Sequence, residues 1–231
     1  MEIRNYNPQI DDDIKIIYVR NNYYCNTPTP LCRGVSHLLF SIIMSIFIPY
    51  AYHILQSTIF GAYLLMISSY IASAIYHCVK LNLFFEKLVR YIDHIFIHNH
   101  IISIGLIYFD KSIFTHLCLL IFLVNYTYDA FHMFWIELYI ESYYHKHTYI
   151  LSMIISLSMF AYAIISDHVD IYIIIVQCIS ILLYLYGQYF FLKTINEIPH
   201  HIISNHEIFH IITVIASIGT IYVMFNCANS I

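Results

Sequence analysis

Residues 58–79 read TIFGAYLLMISSYIASAIYHCV, a run of 22 positions without one Asp, Glu, Lys or Arg. A hydrocarbon core about 30 Å thick is crossed by about 20 mostly apolar helical residues rising 1.5 Å each. The run is therefore read as a transmembrane helix. Six more of the same kind lie on either side of it, at 35–54, 91–109, 112–135, 148–166, 171–191 and 206–226. The breaks are Gln56-Ser57, Lys80 to Arg90, Asp110-Lys111, Glu137 to His147, Asp167 to Asp170 and Lys193 to Asn205. Most are too short to hold a separate domain. The expected fold is all-α: a polytopic membrane protein with a polar tail at 1–34, a seven-helix domain at 35–226 and a short C-terminal tail at 227–231.

Composition supports this and excludes other classes. Of 231 residues, 60% are apolar and 10% charged, against roughly a quarter charged in a soluble domain. Ten basic against fourteen acidic residues leave a net charge of −4, which gives no basic field to hold nucleic acid. The expected partners are membrane lipids, one of them a substrate. The six cysteines, at 25, 32, 78, 118, 178 and 227, have no paired spacing, so neither a disulfide framework nor a Cys-type zinc finger is expected. The tail at 1–34 contains Asp11-Asp12-Asp13 and Asn26-Thr27-Pro28-Thr29-Pro30. It lacks the apolar core of a cleavable signal peptide, so the first apolar helix is expected to direct insertion. No internal repeat is visible that would suggest a transporter of duplicated halves.

Basic loops stay in the cytosol. Arg4, Lys15, Arg20, Arg33, Lys80, Lys87, Arg90, Lys146 and Lys193 fall on one side of a seven-crossing chain, and Lys111 alone falls on the other. This places the N-terminus in the cytosol and the C-terminus outside. It also sets polar residues at a common depth. Ser73 and His77 lie four apart near the end of the second helix, Asp93 and His94 open the third, and His206 and His210, again four apart, open the seventh. Residues i and i+4 share a helix face, about 6 Å apart along the axis. Three helices thus bring His77, Asp93, His206 and His210 to one cytoplasmic layer.

Ionisable groups inside membrane helices point to function by default. Three imidazoles suit Zn²⁺, and three protein ligands with the fourth position left for water are the pattern of a catalytic zinc. His77, His206 and His210 are the expected ligands, with Asp93 beside them to hold or deprotonate water. The string His206-Glu207-Ile208-Phe209-His210 also has the H-E-x-x-H form of zinc proteases, in which Glu207 would be the base. Among the 15 histidines, His53, His98, His100, His116 and His168 are read as packing or interfacial residues, and His200 and His201 as solvated loop residues. Asp129 and His132 either form a separate polar contact or line a cavity. Ser73 either takes part in the site or bonds back to a carbonyl one turn earlier.

Four segments in order resemble the haemolysin III family, which is related to the progestin and adipoQ receptors. Val35-Ser36-His37 resembles its Thr/Ser-His, and Ser73-Ala74-Ile75-Tyr76-His77 its Ser-x-x-Tyr-His. Arg90-Tyr91-Ile92-Asp93-His94 resembles its Arg-x-x-Asp-His, and His206 to His210 its final helix motif. The segments span roughly half the chain. Where bacterial members usually carry a Gly-Thr-Tyr-Thr-Pro-like stretch, this chain has Ile102-Ser103-Ile104-Gly105-Leu106. The resemblance implies zinc on His77, His206 and His210 near the cytoplasmic face, Asp93 and Ser73 as catalytic residues, and hydrolysis of amide-linked lipids such as ceramide. The family name implies an alternative, membrane permeabilisation, and the receptor relatives another, a seven-helix receptor with a structural zinc.

Overall fold

The computed structural model describes residues 20–22, 27–29, 32, 34–79, 83–109, 111–135, 148–166, 169–194 and 203–227. Arg4, Asp11-Asp12-Asp13, Lys15, Arg33, Lys80, Lys146, His168, His200, His201 and the tail at 228–231 lie outside the described residues. Within the polar tail, β1 (Arg20–Asn22) and β2 (Thr27–Thr29) pair antiparallel, with Asn21 opposite Pro28.

Everything else of regular structure among the described residues is helix: α1 (Val35–Ile46), α2 (Ile48–Ile54), α3 (Ser57–Cys78), α4 (Leu83–Leu106), α5 (Ile113–Trp135), α6 (Thr148–Ile165), α7 (Ile171–Thr194) and α8 (Asn205–Cys227). Each apolar run of the sequence folds as helix, with two differences. The first run breaks at Phe47 into α1 and α2, bent by 52°. Pro49, the second residue of α2, has no N–H to give back to the preceding turn, and its ring crowds that turn's carbonyl. The third helix starts at Leu83 rather than at 91, which absorbs most of the expected break from Lys80 to Arg90. Glu86, Lys87 and Arg90 are good helix formers, and no Gly or Pro lies between Leu83 and Tyr91. Asp93 and His94 consequently sit in the third turn of α4 and not in its first.

Four of these helices, α3, α5, α7 and α8, are long and apolar enough to cross a membrane, and the bent pair of α1 and α2 makes a fifth if it counts as one crossing. Among the described residues, many polar side chains are buried alongside the apolar core, and many large apolar ones face outward. Ser103, Thr115, Ser152, Gln177, Ser217 and Thr220 are fully buried, while Ile46, Ile113, Phe131 and Ile165 are more than two-thirds exposed. Water would expel such an exterior, whereas acyl chains match it.

α3 is the central helix. It runs beside α4 and α1 and touches α8, α7 lies along α8, and α6 packs on α4 and α5. Phe40, Met44, Tyr63, Met66, Tyr70, Val223 and Met224 fill the space between α1, α3 and α8. α7 approaches α8 closely where Gly219 faces Ser180, since any side chain at Gly219 would meet that hydroxyl.

Candidate metal centre

The end of α3 and the beginning of α8 meet in one layer, and each is held there by local sequence. α8 begins with a capping box. Ser204 precedes the helix, its backbone N–H donates to Glu207 Oε2 at 2.7 Å, and its hydroxyl donates to the same oxygen. The N–H of His206 in turn donates to Ser204 Oγ at 3.3 Å. This is the reciprocal pattern of Ser-x-x-Glu at a helix start, and it fixes the first turn from which His206 projects. At the other wall, Gly34 precedes α1 with φ of +77°. A Cβ on Gly34 would lie 2.5 Å from the Cβ of His77, so only glycine lets α1 begin against the last turn of α3.

Three imidazoles converge in that layer. His77 Nε2 and His206 Nε2 are 3.4 Å apart, and one ligand atom from each of His77, His206 and His210 lies within 4.8 Å of the others. The rings meet edge to face, with centroids 4.4 Å apart for His206 and His210 and 4.9 Å for His77 and His210. A tetrahedral ion with Zn–N bonds of about 2.0–2.1 Å needs its nitrogens about 3.3–3.4 Å apart. The His77–His206 pair already has that spacing. Asp93 Oδ2 is 3.9 Å from the same His77 Nε2. The donor set therefore fits a metal ion: three imidazole nitrogens, one carboxylate at the edge, and burial for His77 and His210.

Of the residues singled out from sequence, His77, His206 and His210 are brought together, and Asp93 stands beside His77. Ser73 departs from the back-bonding expectation. Its hydroxyl lies 2.9 Å from Nδ1 of His37 rather than on a carbonyl of its own helix, and His37 in turn touches His210. Sequence reasoning placed His37 in the Val35-Ser36-His37 motif alone and gave it no place in the site. Its signal was faint: one histidine in the first turn of an apolar run.

No family model, curated protein or solved structure matches the chain. The site must be read from its own geometry.

That geometry bears on the H-E-x-x-H reading. Glu207 is buried and its Oε2 is engaged by Ser204, so the glutamate that a protease would use as base serves the helix cap. Of the histidines read as packing residues, His53 and His116 are exposed. His116 Nδ1–H donates to the Ser112 carbonyl at 2.7 Å. His98, fully buried, belongs to a second polar cluster: its Nδ1 is 2.7 Å from Ser152 Oγ and its Nε2 3.5 Å from Asp129 Oδ2. The two options for Asp129 and His132 thus divide between them. Asp129 makes the polar contact, while His132 stacks on Tyr128 and lines an outward groove of about 740 Å³ with Leu123, Val124, Thr127 and Phe131.

Proposed function

We propose that the protein is a seven-crossing integral membrane hydrolase that holds Zn²⁺ on His77, His206 and His210 and cleaves an amide-linked lipid at the cytoplasmic face. The observation that carries the reading is the 3.4 Å approach of His77 Nε2 to His206 Nε2, with the Asp93 carboxylate 3.9 Å from His77. A structural zinc is closed by four protein ligands. Here the described residues offer three nitrogens and a carboxylate set to one side. The order of the four haemolysin III-like segments supports the same reading, since three of them contain His77, Asp93 and the His206–His210 pair.

Bound there, zinc supplies a Lewis acid that polarises a carbonyl and makes water acidic near neutral pH. The chain's own residues supply the rest. Asp93, with 12% of its side chain exposed, can reach entering water and take up its proton. It can then return that proton to the departing amine, so one carboxylate covers both transfers. Ser73 acts through His37. The apolar helix exteriors keep an acyl chain in the lipid phase while its head reaches the layer where α3 ends and α8 begins.

The crossing count and orientation belong to this proposal. α4 has the length to span at 24 residues but carries Glu86, Lys87, Arg90 and Asp93. Its crossing depends on α3 and α6 covering that polar face. With the nine-to-one distribution of basic residues, the metal layer then lies at the cytoplasmic side.

The test is elemental analysis of the purified full-length chain beside a His206→Ala/His210→Ala variant, joined to hydrolysis of a ceramide-like amide lipid by wild type and Asp93→Asn. About one zinc per wild-type chain, lost in the double variant, is expected. Asp93→Asn is expected to keep the metal and lose turnover by a factor on the order of 10² to 10⁴. Equal zinc in wild type and double variant would remove the centre. Zinc without hydrolysis of any amide lipid, alongside dye leakage from liposomes that persists in Asp93→Asn, would favour the permeabilising alternative.

A further inference from the structure

The two helices that carry the proposed ligands touch only lightly. α8 lies along α7 for most of its length but meets α3 at few places, so side chains span the gap between α3 and α8. One of them is Tyr70, on α3 and 3% exposed. Its hydroxyl donates to the Thr213 carbonyl of α8 at 2.9 Å and also lies against the Ser217 hydroxyl of the same helix. Tyr184, on α7, reaches Ser217 Oγ at 2.8 Å. The Tyr70 ring is wedged as well: it meets the rings of His37 and Phe40 edge to face, with centroids 4.7 and 4.6 Å away.

Each of these hydroxyls has one proton to give, and a carbonyl only accepts, so the Tyr70 proton goes to Thr213. Toward Ser217 the Tyr70 oxygen then accepts, which uses the Ser217 proton, and Tyr184 gives its own to Ser217 Oγ. The tie between α3 and α8 does not depend on this order, because both partners of Tyr70 belong to α8. The order does distinguish the three hydroxyls. Without that of Tyr70, Ser217 can turn its proton to the Thr213 carbonyl four residues back, as serine does inside helices. Every buried proton keeps an acceptor, but Tyr70 no longer holds α8. Without that of Ser217, Tyr70 still reaches Thr213 and the two helices stay joined. The same is true when the Tyr184 hydroxyl is removed.

We propose that Tyr70 is a positioning residue for the metal centre: its hydroxyl sets the separation of α3 and α8, and with it the approach of His77 to His206 and His210. The inference rests on the metal-centre reading above and deepens it. Tyr70 lies seven residues from His77 along α3, and Ser217 seven from His210 along α8. Both intervals are two helical turns, about 10 Å. The tie is thus near enough to govern the metal layer and too far to ligate in it. Zn–N bonds of about 2.0–2.1 Å tolerate little drift between ligands drawn from separate helices, and a site is held to about 0.5 Å only by the contacts that support it.

The difference between the three hydroxyls makes the test selective. Zinc affinity by chelator competition, and thermal unfolding without zinc, are measured on the full-length protein in detergent for wild type, Tyr70→Phe, Ser217→Ala and Tyr184→Phe. Phe keeps the ring at position 70 with its contacts to His37 and Phe40 and removes one oxygen. Tyr70→Phe is expected to weaken zinc binding about tenfold, the lower end of the range for residues that support ligands, with little change in the zinc-free unfolding midpoint. Ser217→Ala and Tyr184→Phe should bind zinc as wild type does, whatever their midpoints. Cobalt(II) in place of zinc should give altered visible absorption in Tyr70→Phe and a native spectrum in the other two. A merely structural role would make zinc affinity follow the midpoint across the three variants. That pattern, or wild-type affinity and spectrum in Tyr70→Phe, overturns the role of Tyr70 and leaves the metal centre standing. If Tyr70→Phe does not fold, the other two variants decide: wild-type zinc binding in both supports the role, and weakened binding in either overturns it. Failure of wild type itself to bind zinc overturns the metal centre and this role with it.

Discussion

Replacement of Gly34 by alanine tests the link between the start of α1 and the metal layer. Gly34 has φ of +77°, where an L-residue costs about 1–2 kcal/mol relative to glycine. The new methyl carbon would lie 2.5 Å from His77 Cβ, and carbon atoms rest at about 3.5–4.0 Å. The first turn of α1 or the last turn of α3 must therefore give by about 1 Å, a strain of the kind that costs about 1–3 kcal/mol in a packed core. The expected destabilisation is about 2–5 kcal/mol. The displaced atom is the root of a proposed ligand, so zinc affinity should fall at least about tenfold with it, within the range for disturbed ligand support. Gly61→Ala is the control, because a Cβ there meets nothing within 4 Å and the site lies inside α3. It should leave stability unchanged or slightly raised and zinc binding intact. Thermal unfolding in detergent with and without zinc, together with chelator competition, reads both effects. Gly34→Ala indistinguishable from Gly61→Ala in both measurements would refute the claim that this glycine sets the distance between α1 and His77.

Three further outcomes follow from the geometry. Single His77→Ala, His206→Ala and His210→Ala variants should each lose most of the zinc, while the exposed His53→Ala and His116→Ala keep it; equal metal content in all five would show the triad to be ordinary packing. Glu207→Gln should preserve stability, zinc and turnover, since Gln also serves a capping box, and Glu207→Ala should cost about 1 kcal/mol of stability by the loss of the cap. A selective loss of turnover in Glu207→Gln would restore the protease reading. Asp129→Leu should lower the unfolding midpoint by an amount corresponding to about 1–2 kcal/mol, the upper range for a polar contact between membrane helices, without lowering zinc content. Loss of zinc in that variant would show the His98–Asp129–Ser152 cluster to be part of the metal centre.

The apolar runs located the major helices among the described residues, because hydrophobic length is what a membrane crossing requires. Helix ends were harder to read. Charge was taken as a break at Lys80 to Arg90, yet Glu86, Lys87 and Arg90 are good helix formers, so α4 runs two turns further back. Pro49 carried a real signal that hydropathy alone passed over. The same holds for Ser204-Asn205-His206-Glu207, whose Ser-x-x-Glu spacing announces a helix start and accounts for Glu207 without any catalytic duty. The His77, His206 and His210 set was legible because i, i+4 spacing marks one helix face and the expected order of helices set the end of one beside the start of the other. His37 was not, because depth says nothing about which helices are neighbours. The contact of α1 with α3 and α8 is decided by Gly34, Phe40 and Tyr70 packing across helices, and no periodicity reports that. Asp129 had the same difficulty, since its partner His98 becomes identifiable only once α4, α5 and α6 are known to pack together.

The position of the centre within the bundle bears on how water and lipid would reach it. His77 and His210 are buried, at 7% and 3% exposure, whereas His206 is half-buried and Asp93 keeps 12% of its side chain accessible. His37, Ser73 and Thr213 close the inner side, and the edge-on contact of His37 with Tyr70, centroids 4.7 Å apart, extends that wall toward the core. The open side is thus the one with Asp93 and His206, where α3 ends and α8 starts. A carboxylate there is hydrated at little cost, while the same group one or two turns deeper would need a partner, as Asp129 has in His98. Proton transfer needs both water and a charged base, and nitrogen ligation needs neutral imidazoles shielded from competing protons. Placing His77 and His210 on the buried side and Asp93 with His206 on the open side serves both demands of the proposed chemistry. It also allows a lipid head group to approach along the surface of the bundle while its chain stays against the exposed isoleucines and phenylalanines, so no cavity through the membrane is required for the chemistry proposed.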